Sequence, residues 1–277
     1  EAAYIPDGER ATLCVSAQVG CRMGCRFCAT GRQGLRRSLS TGEILNQILA
    51  IPESARLTNI VFMGMGEPLD NYDNVLAALE ILTSPWGMAW SPTRITLSTA
   101  GITPRLEQLI EATKVHIAVS LHNPFHDQRA EIMPVEKAYP IRELTDMLRR
   151  HDFSGQRRLS FEYILMEGLN DTAAHIRELR RLLNGLNCRI NIIRFHRIPD
   201  SPYFSPPRQK MEAFRDRLTA GGIHTTIRAS RGEDIQAACG LLSTAEAMRR
   251  AEQRRSQDHD TAEGDTHHPT TKQTTER

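Results

Sequence analysis

Along most of the chain, short apolar runs alternate with longer stretches in which apolar residues recur every three or four positions. The runs cover residues 12–15, 59–63, 94–98, 116–120, 159–165, 189–194 and 225–228. Each is short and rich in β-branched or aliphatic residues, the pattern of a buried strand. Between them, helical spacing marks 41–50, 71–82, 104–112, 141–150, 172–183 and 210–220. Ser40 or Thr41 is placed to cap the first helix, with Glu43 in its opening turn, and Asn170 or Asp171 to cap the one that begins near Thr172. Strands alternating with helices imply parallel pairing through right-handed crossovers. The expected fold class is therefore α/β, a partial or full (β/α) barrel, with a doubly wound open sheet as the competitor. Either fold collects its chemistry at the C-terminal ends of the strands.

From about Thr244 this pattern dissolves. Residues 245–277 carry six basic and seven acidic side chains and almost no large apolar ones. A short helical stretch at 245–252 gives way to a composition that cannot fund a core and reads as disordered. His259, His267 and His268 could form a weak metal tract, but a solvated tail is the better reading. The expected division is thus a catalytic domain at 1–243 and a polar tail at 244–277.

Composition narrows the class. At 277 residues and 40% hydrophobic content the chain can bury a substantial core. No window approaches the roughly 18 apolar residues of a membrane helix, and Glu1-Ala2-Ala3-Tyr4 is no signal core, so a cytoplasmic location without membrane contact is the default. The absence of an initial Met suits a processed chain or a fragment. A net charge of +2 neither supports nor excludes a nucleic-acid partner. Locally, Arg22, Arg26, Arg32, Arg36 and Arg37 occupy a stretch with no acid, which is either a phosphate-facing patch or a solvated loop.

The cysteines change the picture more. Six are present, and Cys21, Cys25 and Cys28 fall within eight residues as C-x3-C-x2-C. Disulfide frameworks belong to short secreted chains, so metal binding or catalysis is the better reading. Three thiolates on a bent loop can hold three corners of a 4Fe-4S cubane. The fourth iron is then open to the amino and carboxylate groups of S-adenosylmethionine. A structural zinc site is the alternative, with Cys14 as a fourth ligand, though the usual paired C-x2-C arrangement is missing. Phe27, just before the last cysteine, can shield the cluster from solvent. Gly64-Met65-Gly66-Glu67-Pro68 follows an apolar strand. Its glycines let backbone approach a ligand, and Glu67 can accept from an ammonium group. Ser98 and Ser120-Leu121-His122 end two further strands, where hydroxyl and backbone groups can hold a ribose or a carboxylate.

C-x3-C-x2-C with an aromatic residue before its last cysteine resembles the radical S-adenosylmethionine signature. Further segments resemble one family within that group. They are residues 14–21, 64–69, Ser98-Thr99-Ala100-Gly101, Ser120-Leu121-His122, Glu162-Tyr163 and Arg231-Gly232-Glu233-Asp234-Ile235-Gln236-Ala237-Ala238-Cys239-Gly240. Together they are similar to the dual-specificity 23S rRNA and tRNA adenosine C2-methyltransferases over roughly residues 1–243.

The resemblance implies a cluster on Cys21, Cys25 and Cys28 and cofactor contacts from Gly66, Glu67, Ser98, Ser120, Leu121, His122 and His196. It implies two S-adenosylmethionine molecules per turnover, one methylating Cys239 and one generating the radical that activates the S-methyl group. Cys14 would then release product by forming a transient disulfide with Cys239, and Glu1 matches the proposed proton acceptor. By residue type alone Cys239 reads as a small buried hydrophobe in an Ala-rich helix. Cys188 has no role in the family and is expected to be structural. The implied partners are 23S rRNA, tRNA and a flavodoxin- or ferredoxin-type reductant, with the enzyme a monomer. Two departures stand out. His196 occupies a position where the family commonly has Asn, and the family's small N-terminal helical domain has no counterpart here, which suits a truncated chain. A carbon-8 methyltransferase of the antibiotic-resistance type, and a non-catalytic iron–sulfur sensor or RNA-binding protein, are the alternatives.

Overall fold

The structure, a computed structural model, describes residues 1–154, 158–198 and 201–228. In chain order the strands are β1 (Ala3–Asp7), β2 (Arg10–Cys14), β3 (Gln18–Gly20), β4 (Leu35–Ser38), β5 (Asn59–Phe62), β6 (Ile95–Thr99), β7 (His116–Ser120), β8 (Leu159–Leu165), β9 (Arg189–Arg194) and β10 (His224–Ile227). The helices are α1 (Ala29–Arg32), α2 (Thr41–Leu49), α3 (Tyr72–Thr83), α4 (Thr103–Ala112), α5 (His126–Ile132), α6 (Ile141–Leu148), α7 (Ala173–Leu182) and α8 (Arg208–Ala220).

Eight strands form one sheet in the order β1-β2-β5-β6-β7-β8-β9-β10. From β2 onward every neighbour pair is parallel. The spatial order follows the chain order without reversal. A doubly wound sheet needs a reversal point, so this topology decides for a partial (β/α) barrel. β8 is covered on both faces, all seven of its residues buried, whereas β5 and β6 alternate buried with half-buried positions.

All seven expected strands are present. Three others were not anticipated. β1 pairs antiparallel with β2 at the sheet edge and contains Pro6, a residue that argues against a strand interior. β3 and β4 form a separate antiparallel hairpin. The cysteine loop connects these two strands, and the Cys21 amide closes its base by donating to the Gly34 carbonyl at 3.0 Å. α5 is short and polar, and only its fold reveals it.

Ser40 caps α2 through a full capping box with Glu43. The expected cap of α7 by Asn170 or Asp171 is a misassignment: Thr172 is the N-cap. Asn170 is instead fully buried, donating to the carbonyls of His122 and Ile164 at 2.6 and 2.7 Å and accepting from the Met166 amide. Its side chain ties the ends of β7 and β8 together. Cys239, its surrounding motif at 231–240, the helical stretch at 245–252 and the tail histidines lie outside the described residues. Among the described residues no helix is long and apolar enough to cross a membrane.

Candidate active site

A concave, partly open cleft lies at the C-terminal ends of the parallel strands. β5 and the loop after it supply Phe62, Met63, Gly64, Gly66 and Glu67. β6 contributes Ser98 and Thr99, β7 Ser120 and His122, β8 Glu162 and Ile164, and the cysteine loop closes one side with Cys21, Cys25, Phe27 and Cys28. The parallel topology thus brings residues spread over some 200 positions to one place.

Burial pushes the Cys21 thiol up to about 12 and holds Cys25 well above the ordinary thiol range, with Cys28 adding repulsion to both. Desolvated thiols at Cys21 and Cys25, beside Cys28, are costly as bare thiolates and would be stabilised by bound iron, which reverses that balance. Among the described residues no three His, Cys, Asp or Glu side chains converge closely enough to hold a single metal ion. A tetrahedral zinc site needs such convergence. Three thiols that share one cleft wall fit a polynuclear cluster. Phe27 is buried behind them and meets the His122 ring edge-on, with centroids 4.7 Å apart.

Glu67 is buried and its carboxyl is pushed up to about 7, burial outweighing its hydrogen bonds. It accepts from Thr99 Oγ1 at 2.6 Å, from the Ala100 amide at 2.7 Å and from the Leu69 amide at 3.1 Å. A carboxylate has about four acceptor positions, so Glu67 retains room for one more donor from the cleft while fixing the end of β6. Gly64 and Gly66 line the cleft, but their first task is internal. A Cβ on Gly64 would lie 2.7 Å from both Ser16 Oγ and the Val15 carbonyl, and one on Gly66 (φ +94°) 2.5 Å from the Gln18 side chain. The glycines seat this loop against the exit of β2.

His122 adopts φ +54°, a strained conformation for a side chain of its size. Its Nδ1 accepts from the Ile164 amide at 3.0 Å, so the neutral ring carries its proton on Nε2. Burial, with Arg129 assisting, lowers its pKa to about 3. A neutral donor therefore faces the cleft at physiological pH.

Arg129, which sequence reasoning missed, and Glu162, which it named only within a motif, organise this rim. Arg129 is completely buried. It donates to the Leu121 carbonyl at 2.9 Å, to the Ala100 carbonyl at 3.0 Å and to the Ser120 carbonyl at 2.7 Å, and it pairs with Glu136. Glu136 in turn accepts from the Ile141 amide at 2.9 Å. One guanidinium thus holds the ends of β6 and β7. Glu162 accepts from Asn191 Nδ2 at 2.7 Å and Arg228 at 3.2 Å, and its carbonyl takes the amides of Leu121 and His122. Glu162 was visible only as part of a motif, and Arg129 carried no signal beyond its being a charged residue in a short polar helix.

The structure gathers Cys21, Cys25, Cys28, Gly66, Glu67, Ser98, Ser120 and His122 around the cleft. Leu121 is fully buried beneath it and meets its neighbours through backbone. His196 is half-buried beyond β9 and is not among the lining residues. Cys14 is buried at the end of β2, in register with Val61 two positions before the cleft-lining Met63, and does not itself line the cleft. Glu1 is exposed, and its carbonyl accepts from Ser16 Oγ. Of the basic stretch, Arg22 pairs with Asp70 at 2.8 Å and Arg37 with Glu43 at 2.7 Å, so part of that patch is internally neutralised. Cys188 packs against the core, and burial raises its thiol to about 12, consistent with an unreactive structural residue.

A partial (β/α) barrel whose three-cysteine loop faces a strand-end cleft defines the radical S-adenosylmethionine class, and residues 15–183 match the Radical SAM superfamily. More closely, the chain is 58% identical over 245 residues to a probable dual-specificity RNA methyltransferase RlmN of Bacteroides fragilis, covering 88% of this chain and 71% of that one. It is 47% identical over 247 residues to the dual-specificity RNA methyltransferase RlmN of Syntrophus aciditrophicus, covering 88% and 71%. A radical SAM methyltransferase of known structure from Sphaerobacter thermophilus superposes with a TM-score of 0.82 at 44% identity, over 87% of this chain and 72% of the other. The chain belongs to the RlmN family of dual-specificity RNA methyltransferases. The [FeFe]-hydrogenase maturase HydG, at 12% identity and a TM-score of 0.60, shares the fold alone.

Proposed function

We propose that this radical S-adenosylmethionine RNA methyltransferase modifies carbon 2 of an adenosine in the peptidyl-transferase region of 23S rRNA and of the adenosine 3′ to the tRNA anticodon. The observation that carries the reading is the joining of three thiols to a cleft whose other walls offer a buried carboxylate, strand-end hydroxyls and a neutral imidazole. That set of groups suits a cluster on one side and an amino acid with a ribose on the other.

In this reading Cys21, Cys25 and Cys28 ligate the cluster and leave its fourth iron open. The bound cluster and cofactor supply a reductively generated 5′-deoxyadenosyl radical. Gly66 and Glu67 receive the amino group, Ser98 and Ser120 offer hydroxyls, and His122 donates through Nε2. Phe27 and the buried aliphatic wall of Ile164 and Ile193 keep water from the reacting atoms. Carbon 2 of adenine is electrophilic, so direct transfer from a sulfonium cannot reach it, and a carrier thiol is needed. Cys239 carries the methyl group, one S-adenosylmethionine serving to load it and a second to activate it. In the covalent protein–RNA adduct, the Cys14 thiolate would attack the Cys239 sulfur and break its bond to the methylene carbon carried on adenine. That bond's electron pair leaves with the carbon, which takes up a proton to become the methyl group, and a Cys14–Cys239 disulfide remains. Glu1 is the proton acceptor, and a flavodoxin- or ferredoxin-type protein delivers the electron to a monomeric enzyme.

Cysteine variants test the assignment. Cys14→Ala, reconstituted anaerobically and supplied with RNA, accumulates a covalent protein–RNA adduct visible on a denaturing gel. Cys239→Ala gives neither adduct nor methylated RNA. Turnover by Cys14→Ala at the wild-type rate would remove the release step, and mass mapping of the methyl group to carbon 8 would remove the regiochemistry.

A further inference from the structure

Three large hydrophobic residues stand exposed among the described residues: Leu49 at 60%, Trp86 at 69% and Phe204 at 54%. Leu49 ends α2 and Trp86 follows α3. Both therefore sit where a helix hands over to the next strand, at the end of the barrel away from the cleft. Phe204 lies in the segment after β9, on the cleft side.

Its surroundings hold it there. The Phe204 carbonyl accepts from the Glu167 amide at 2.9 Å, which ties the segment after β9 to the one after β8. Adjacent Tyr203 packs edge-on against Phe195, with centroids 6.1 Å apart. Tyr203 and Phe195 belong to the same apolar cluster as Phe27, Ile164 and Ile193, which line the cleft. Pro202, Pro206 and Pro207 restrict the backbone on either side. The ring thus stands next to Tyr203, whose apolar cluster includes the cleft-lining Phe27, Ile164 and Ile193. Arg197 lies over it, its Cζ 5.2 Å from the ring centroid.

A lone exposed aromatic ring beneath a guanidinium is too small an apolar area for a protein partner to bury as a patch. It has the chemistry of a single-stranded nucleic-acid contact. Unpaired bases stack on aromatic faces and on guanidinium planes. An enzyme that modifies a base must take it out of its stack, which leaves the adjacent bases without a neighbour. We propose that Phe204 and Arg197 form a platform on which an unpaired RNA base flanking the target adenosine stacks. The proposal rests on the RNA-methyltransferase reading and adds a binding subsite outside the cleft.

The test uses the reconstituted enzyme and an RNA hairpin carrying the target adenosine, with 2-aminopurine placed in turn at each flanking position. Wild-type enzyme is expected to quench the fluorophore at one flank. Phe204→Ala should abolish that quench and weaken hairpin binding about 5- to 150-fold, the usual loss for one stacked base, chiefly by raising KM. Phe204→Trp should restore both. Cofactor cleavage without RNA should be the same in all three, because Phe204 does not line the cleft. If Phe204→Ala matches wild type in quench and affinity while wild type methylates the hairpin, the platform is refuted and the methyltransferase reading stands. If wild type cleaves the cofactor yet neither binds nor methylates the hairpin, both fall. Should Phe204→Ala slow only reduction by a flavodoxin-type donor, the ring contacts a protein and the proposal is overturned.

Discussion

Replacing Arg129 with Met asks how much of the rim depends on one buried cation. The side chain is completely buried, and its pairing with Glu136 is shielded from water. Burial lowers the guanidinium's pKa and Glu136 opposes that shift, so the two charges are held as a pair. In Arg129→Met, Glu136 keeps the Ile141 amide and its contact with His126 Nδ1 but loses the guanidinium, the carbonyls of Ala100 and Ser120 lose the Arg129 donor, and the Leu121 carbonyl keeps only the Asn123 amide. Breaking a buried pair from one side costs about 3–5 kcal/mol, mostly from the uncompensated charge left behind. That is a large part of the 5–15 kcal/mol that holds a typical domain. Equilibrium urea unfolding of the anaerobically purified protein measures the loss directly. Adding Glu136→Gln removes the stranded charge, and the double variant should regain about 1–3 kcal/mol over Arg129→Met alone. A single variant that costs less than about 1 kcal/mol, or a double variant no more stable than the single, would refute the reasoning.

Other consequences follow from the same contacts. His122 titrates near 6.5 when unfolded and near 3 when folded, so between those values the unfolded chain binds the extra proton and stability falls as pH falls. His122→Asn, which tolerates the positive φ, should flatten the acid limb of a stability-versus-pH curve; an unchanged limb would assign it to other groups. Glu67→Gln sets an amide N–H₂ against at least one of the donors from Thr99, Ala100 and Leu69, and should lower stability by about 1–3 kcal/mol in thermal unfolding. Retained stability would mean that the carboxyl is protonated in the native state, as its value of about 7 allows. Substituting Cys21, Cys25 or Cys28 singly by Ser should abolish the visible absorbance of the reconstituted cluster and cofactor cleavage, while the secondary-structure circular dichroism stays unchanged.

Seven parallel strands are legible in the chain alone, because short runs of β-branched and aliphatic residues mark them without tertiary information. The sequence also singled out the Cys21–Cys28 loop, since three thiols at fixed short spacing need no fold to be recognised. Tertiary structure decided the rest. The choice of partial barrel over doubly wound sheet depends on strand order, which no local pattern encodes. β1, with Pro6 in it, is a strand only because β2 lies beside it to pair with. Asn170 looked like a helix cap because that is what an isolated Asn before a helix does best. In the fold it is more strongly held by two carbonyls and an amide from β7 and β8. Arg129 carries no mark of its own in the sequence, because charged residues are almost never fully buried unless paired. The pairing exists only once α5 and the turn carrying Glu136 pack beneath the ends of β6 and β7, and that long-range packing is invisible in a linear chain.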